Sequence, residues 1–142
     1  MKKIFTFSVL AVAIAMVFGS CTKRGYYEKD DIERATVIDY VNGTPYSLIQ
    51  YDYDRTYAVV ESMEYDTQYW PEVYDRLEGR FYEGQQRRIY NITAGFYINL
   101  YVVENVPTKA DAFDALDYYA HKYLTTKANH KTISQSDKRR IQ

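Results

Sequence analysis

The sequence predicts a mainly β protein: a small antiparallel barrel or half-barrel of five or six strands, followed by one C-terminal α-helix. Two observations carry this prediction. Short segments with alternating apolar residues recur about every ten residues from Thr36 onward, with turn residues between them. One segment with helical spacing then follows Pro107 and is suited to cover a face of the sheet. An open sheet packed on the helix is the alternative.

The first two strands form a predicted hairpin. The segments "TVIDYV" and "YSLIQYDYD" flank the pair Asn42-Gly43, which favours a tight turn. In the second segment Ile49, Tyr51 and Tyr53 alternate with polar residues, as in a strand with one buried face. The next segment, "YAVVESM", has a continuous apolar centre. Such a centre predicts a strand that is covered on both faces.

The later strands are separated by glycine-containing segments. In "YDRLEGRFY" the residues Leu77, Gly79 and Phe81 share one predicted face, and "EGQQ" then predicts a turn. Residues 87–106 form a β-rich segment that is longer than a usual strand and is interrupted by Ala94-Gly95. A glycine there either bends one strand or lies in a turn between two strands, and the pattern leaves both open.

The helix is predicted over about residues 109–125, after Pro107 ends the sheet and with Thr108 as its N-cap. Its apolar face comprises Phe113, Leu116, Ala120 and Tyr123. Residues 127–142 are polar and basic with little to bury, which predicts a loose, disordered tail.

The N-terminus has the features of a secretory signal peptide over residues 1–20. Two lysines precede an apolar run at residues 4–18, and this run is shorter than the roughly 20 residues that a transmembrane helix needs. The small pair Gly19-Ser20 suits a processing peptidase. Cys21 follows as the only cysteine, so a disulfide within the chain is excluded.

The residues Phe18, Gly19, Ser20 and Cys21 resemble the lipobox of bacterial lipoproteins, in the form found in Bacteroidetes. The resemblance implies cleavage before Cys21, diacylglycerol and fatty acid on Cys21 as the covalent modification, and a lipid anchor in the outer membrane. We expect the protein to face the periplasm, with the cell surface as the alternative. A secreted protein with a free cysteine is the other reading of this segment.

Residues 21–34 are predicted to be a flexible tether, and residues 35–126 to be the folded domain with its helix. The domain also resembles small lipoprotein barrels of the oligonucleotide- and oligosaccharide-binding type, although here the helix follows all the strands. The chain has 18 Lys and Arg against 19 Asp and Glu, so its charge offers no case for a nucleic-acid partner.

The candidate binding site lies in an acidic, aromatic segment, "ESMEYDTQYWPEVYD", at residues 61–75. Aromatic faces stack on sugar rings or cations, and neighbouring carboxylates accept hydrogen bonds or pair with a basic partner. The alternative is that these rings close the barrel end while the carboxylates keep the loop soluble. The candidate residues are Tyr65, Tyr69, Trp70, Tyr74, Glu64, Asp66 and Glu72.

No catalytic motif is present, and the two histidines lack a free cysteine partner, so we expect neither an enzyme nor a metal site. The sequence thus predicts a lipid-anchored envelope protein that acts as a non-catalytic binding or assembly module, such as an accessory subunit of an outer-membrane complex. A glycan- or peptidoglycan-binding lipoprotein is the main alternative, and a small hydrolase is the third.

Overall fold

A computed structural model describes residues 31–139 of the chain, with side chains as far as Asn129. The predicted signal peptide, Cys21 and most of the predicted tether lie outside the described residues. The elements are β1 (Glu33–Tyr40), β2 (Tyr46–Tyr51), β3 (Tyr57–Ser62), a short 3-10 helix (Thr67–Tyr69), β4 (Arg76–Gly79), β5 (Gln86–Asn91), β6 (Phe96–Val106) and α1 (Lys109–Arg139).

The six strands form a closed antiparallel barrel in the order β1-β2-β3-β6-β5-β4. Two three-stranded meanders, β1 to β3 and β4 to β6, are joined by the β3–β6 and β1–β4 pairs. Closure pairs both edges of each meander, which removes the exposed edges that invite aggregation. The predicted fold class is therefore confirmed, in its closed six-stranded form.

The barrel has two ends that differ in what they carry. The chain enters β1 at Glu33, and antiparallel pairing places the β2–β3 turn and the β4–β5 turn at the same end, here called the entry end. The opposite end, here called the loop end, carries the β1–β2 hairpin turn, the long connection at residues 63–75 and the β5–β6 turn. A six-residue strand separates the two ends by roughly 20 Å.

The barrel interior is filled by alternate residues of all six strands, as the alternation in the sequence predicts. In "LEGRF", Leu77 and Phe81 are both buried, while Glu78 and Arg80 are more exposed. The interior core consists of Ala35, Val37, Ile49, Tyr51, Ala58, Val60, Leu77, Phe81, Ile89, Ile98, Leu100 and Val102.

The helix α1 covers the outer face of β2, β3 and β6 and creates a second apolar cluster there. Leu48, Val59 and Val106 pack against Ala112 and Leu116 of α1. Residues 58–60 are therefore all buried, with Val59 facing the helix and its two neighbours facing the interior. The prediction that this strand is covered on both faces is confirmed.

The N-terminus of α1 is capped as predicted, but the helix is longer than expected. The Thr108 hydroxyl accepts a hydrogen bond from the Asp111 N–H at 3.3 Å and donates to the Asp111 carboxylate at 2.6 Å. The helix then continues to Arg139, into the segment predicted to be a loose tail. No glycine or proline follows Pro107, so no helix-breaking residue interrupts the helix. The Thr125 and Thr126 hydroxyls donate to the His121 and Lys122 carbonyls one turn back, which satisfies these side chains within the helix.

Two further boundaries can be compared with the expectations from the sequence: the start of β1 and the division of residues 87–106. β1 begins at Glu33, within the predicted tether at residues 21–34, because Arg34 pairs across to β4 and its guanidinium bonds the Glu78 carboxylate at 2.7 Å. The β-rich segment at residues 87–106 is two strands with a turn between them. Gly95 lies in that turn with φ 80°, a conformation that glycine adopts at little cost.

Candidate functional site

The first half of the connection between β3 and β4 is held against the barrel by Glu64. The Glu64 carboxylate accepts hydrogen bonds from the Asn99 backbone N–H at 2.7 Å and from the Asn99 side-chain amide at 3.0 Å. The Glu64 carbonyl accepts the indole N–H of Trp70 at 2.9 Å. Asp66 then caps the 3-10 helix by accepting from the Gln68 N–H at 3.1 Å. A sequence candidate for ligand contact, Glu64, is thus an internal brace of the loop.

The second half of the connection is held by β1 and β5. Backbone bonds join the Val37 carbonyl to the Tyr74 N–H at 2.8 Å and the Asp75 carbonyl to the Val37 N–H at 2.9 Å. The Asp75 carboxylate accepts from the Asn91 amide at 2.7 Å and from the Glu72 N–H at 3.0 Å. Since Asn91 is buried, this carboxylate fixes the loop to the barrel interior.

The four candidate aromatic residues fall into two groups. Tyr65 is fully exposed and Tyr74 is 79% exposed, so neither ring helps to close the barrel. Trp70 is partly buried, and Tyr69 packs edge-on against Phe96 with ring centroids 5.5 Å apart. The expectation that the rings close the barrel end therefore fits Tyr69 and Trp70 but not Tyr65 and Tyr74. Two rings contribute to the barrel end and two point to solvent.

Tyr74 also has an uncommon backbone conformation. Its φ is 74°, in the left-handed region that residues with a Cβ rarely adopt. The hydrogen bond between its N–H and β1 holds it there. The Tyr74 side chain is exposed, so its burial does not offset the cost of this strained backbone conformation. Residues with strained backbones cluster at functional sites.

A cleft of about 400 Å³ lies at the loop end, beside the braced loop. Its walls come from three separate parts of the chain: the β1–β2 hairpin, the loop around the 3-10 helix, and the second half of α1. The residues that supply its chemistry are Tyr40, Asn42, Ser47, Trp70, Glu72 and Lys127. The structure thus brings together two of the seven sequence candidates, Trp70 and Glu72, with four residues that the sequence did not indicate.

Two of the four additional residues show what the sequence pattern does not reveal. The Asn42-Gly43 pair predicts only a turn, and Asn42 does precede Gly43, whose φ is 77° in the β-turn closed by the Thr44 N–H and the Val41 carbonyl at 3.1 Å. Lys127 falls within the predicted tail. Its position in the cleft follows from the unbroken helix, which starts at the entry end and reaches the loop end. The lack of a helix-breaking residue after position 125 is the sequence signal that could have placed Lys127 on the helix.

Two titratable groups next to this end of the barrel have shifted pKa values. Burial raises the pKa of Glu61, at the end of β3. Burial and the neighbouring Glu61 charge raise the pKa of Tyr46 to about 12. Tyr46 lies across from Glu61 in the β2–β3 pair, and its ring packs against Tyr119 and Tyr123 of α1. Both groups therefore belong to the contact between the barrel and the helix.

No significant match to the chain was found among protein-family models, curated proteins or solved structures. Within residues 31–139, no helix combines the length and the apolar character needed to span a bilayer. The described part of the chain also has no group of three His, Cys, Asp or Glu side chains arranged to hold a metal ion.

Proposed function

We propose that this protein is a lipid-anchored, non-catalytic binding module of the bacterial envelope that presents its loop end to a protein partner. In this role it is an accessory subunit of an outer-membrane complex. The proposed contact surface consists of Tyr65, Tyr69 and Tyr74, and we call it the tyrosine surface. One observation carries the proposal: the braced loop with its exposed rings lies at the end of the barrel opposite to the end at which the N-terminal segment enters.

The separation of the two ends suits an anchored protein. A lipid on Cys21 would hold the entry end near the bilayer, because the chain joins the barrel there at Glu33. The loop end then faces away from the lipid, where another envelope protein can reach it. Anchoring both proteins in one membrane raises their effective concentration, so that a modest contact area is sufficient.

The rigidity of the loop supports a binding role over a merely solubilising one. Glu64 and Asp75 brace the two halves of the loop, so the exposed rings of Tyr65 and Tyr74 are attached to a fixed backbone. Tyrosine provides a large contact area with a polar tip at low entropic cost, and it is enriched in interfaces for this reason. A loop that only kept the protein soluble would need no such bracing.

The test is recovery of partner proteins with the double variant Tyr65→Ala/Tyr74→Ala from envelopes of the native host after mild detergent extraction. We expect the unaltered protein to retain a stoichiometric partner and the double variant to lose it, because truncation of a central interface aromatic weakens binding by about tenfold or more. Tyr118→Ala is the matched control, since Tyr118 is exposed on α1, outside the tyrosine surface.

Circular dichroism and thermal unfolding establish that the variants fold equally well. The proposal is wrong if the unaltered protein is recovered as a monomer without a partner. It is also wrong if the double variant retains the partner as well as Tyr118→Ala does.

A further inference from the structure

We infer that the cleft at the loop end binds one sugar residue of a glycan chain, with Trp70 as the stacking platform and with Asn42, Ser47, Glu72 and Lys127 as hydrogen-bonding groups. This inference adds a ligand site to the proposed partner-binding role and does not depend on it. Tyr65 and Tyr74 of the tyrosine surface are not among the residues that line the cleft.

The aromatic part of the cleft is held in position before any ligand arrives. The indole N–H of Trp70 donates to the Glu64 carbonyl at 2.9 Å, which fixes the ring, and the next residue, Pro71, is buried. Tyr40 provides a second ring from the β1–β2 hairpin, and it is paired with Ser47 across the two strands. The C–H face of a pyranose packs on such a ring because the aromatic face is electron-rich.

The polar part of the cleft retains hydrogen-bonding capacity. No hydrogen bond within the described residues uses the Ser47 hydroxyl, and none of their side-chain oxygens is both buried and unpaired, so the Ser47 hydroxyl is open to the cleft that it lines. The side chains of Asn42 and Glu72 likewise take part in none of the hydrogen bonds of residues 31–129. The polar atoms of these three side chains are accessible to solvent, so a ligand with hydroxyl groups can bond to them without breaking a hydrogen bond within the protein.

The mixture of groups favours a sugar over an anion or an apolar ligand. One carboxylate (Glu72), one amine (Lys127), one amide (Asn42) and one hydroxyl (Ser47) offer donors and acceptors with no excess of either charge. The Lys127 ammonium lies 5.7 Å from the Tyr123 ring centroid, which orients it along the helix surface. A volume of about 400 Å³ is within the range of small-ligand sites, at its smaller end. It therefore suits a single residue of a longer chain.

The test uses the fluorescence of Trp70, the only tryptophan in the chain. The protein is titrated with chito-oligosaccharides, malto-oligosaccharides and soluble peptidoglycan fragments, and with short zwitterionic peptides as the competing ligand class. We expect a saturable change of Trp70 emission with at least one of the saccharides, confirmed by calorimetry. Glu72→Gln and Asn42→Ala should each weaken this binding by about tenfold, because the first replaces a charged acceptor by a neutral amide and the second removes an amide that bonds the ligand.

Tyr65→Ala is the matched control and should bind the saccharide as the unaltered protein does. Glu72→Gln should in turn retain the protein partner, so that failure of this inference is distinguishable from failure of the proposed function. The inference is overturned if no saccharide class saturates at millimolar concentration, or if only the peptides do. It is also overturned if Glu72→Gln and Asn42→Ala bind the saccharide with unchanged affinity.

Discussion

At the scale of single residues, acidic side chains that look alike in the sequence have different structural roles. Glu64 braces the loop through Asn99, and Glu72 lines the cleft. Asp54, in the β2–β3 turn, accepts hydrogen bonds from the Thr56 hydroxyl at 2.7 Å and the Thr56 N–H at 3.0 Å. These bonds hold the pKa of Asp54 below its ordinary value, whereas burial raises the pKa of Glu61.

These two pKa shifts predict opposite pH dependences of stability. A raised carboxyl pKa in the folded state gives stability that is present below the ordinary pKa and is lost as the pH rises through the folded value. Glu61→Gln should therefore gain stability relative to the unaltered protein as the pH rises from 4 to 7, since glutamine carries no charge to desolvate. Denaturant unfolding at both pH values measures the difference.

Asp54→Asn is the control with the opposite sign. A lowered carboxyl pKa gives stability that is present above the ordinary pKa and is lost as the pH falls through the folded value, so this variant should lose relative stability as the pH rises from about 2 to 4 and should change little from pH 4 to pH 7. If the difference in unfolding free energy between Glu61→Gln and the unaltered protein stays constant from pH 4 to pH 7, burial of the Glu61 charge does not affect stability and the prediction is wrong.

At the scale of elements, α1 is held to the barrel by a short apolar face in its first half. Ala112, Leu116 and Ala120 are buried, and Phe113 and Tyr119 are partly buried against the same cluster. After Ala120 no residue up to Asn129 is buried. The first three turns therefore provide the buried attachment, Tyr123 in the next turn adds its ring contact with Tyr46, and the remainder carries Lys127 to the cleft.

This distribution predicts different costs for two leucines of the same helix. Leu116 is 1% exposed and Leu124 is 42% exposed. Leu116→Ala should lower the free energy of unfolding by about 2–5 kcal/mol, because it leaves a cavity between the helix and β2 and β3. Leu124→Ala should change it by no more than about 0.5 kcal/mol. Equal losses in denaturant unfolding would show that α1 is attached through a different face.

The sequence predicted the elements better than the site for a physical reason. Alternation along a strand reports directly which residues face the core, so Ile49, Tyr51 and Leu77 were correctly placed inside. Tyr53 was placed with them wrongly, because β2 ends at Tyr51 and Tyr53 lies in the following turn, 90% exposed. The end of α1 was missed because residues 127–142 have no apolar period, although nothing in them breaks a helix. The cleft was missed because it depends on contacts among three distant segments, and no local pattern encodes which turn will lie beside which helix.

At the scale of the whole molecule, the barrel separates the end that receives the predicted tether from the end that carries the tyrosine surface and the cleft. Both proposed functions use the loop end. A lipid on Cys21 would hold the entry end, on average, closer to the bilayer than the loop end, because the predicted tether joins the barrel at Glu33. This average placement is testable without knowledge of any partner or ligand.

Cys21 is the only cysteine, so in the lipidated protein a newly introduced cysteine is the only free thiol. Tyr53 in the β2–β3 turn is 90% exposed at the entry end, and Tyr65 is fully exposed at the loop end. A donor dye on Tyr53→Cys should transfer energy to acceptor-labelled lipid headgroups in vesicles more efficiently than the same dye on Tyr65→Cys, because the two ends are roughly 20 Å apart. Removal of the anchor by Cys21→Ala should abolish transfer from both dyes. Equal transfer from the two positions, or transfer that survives Cys21→Ala, would mean that the barrel is not held on the membrane by its entry end.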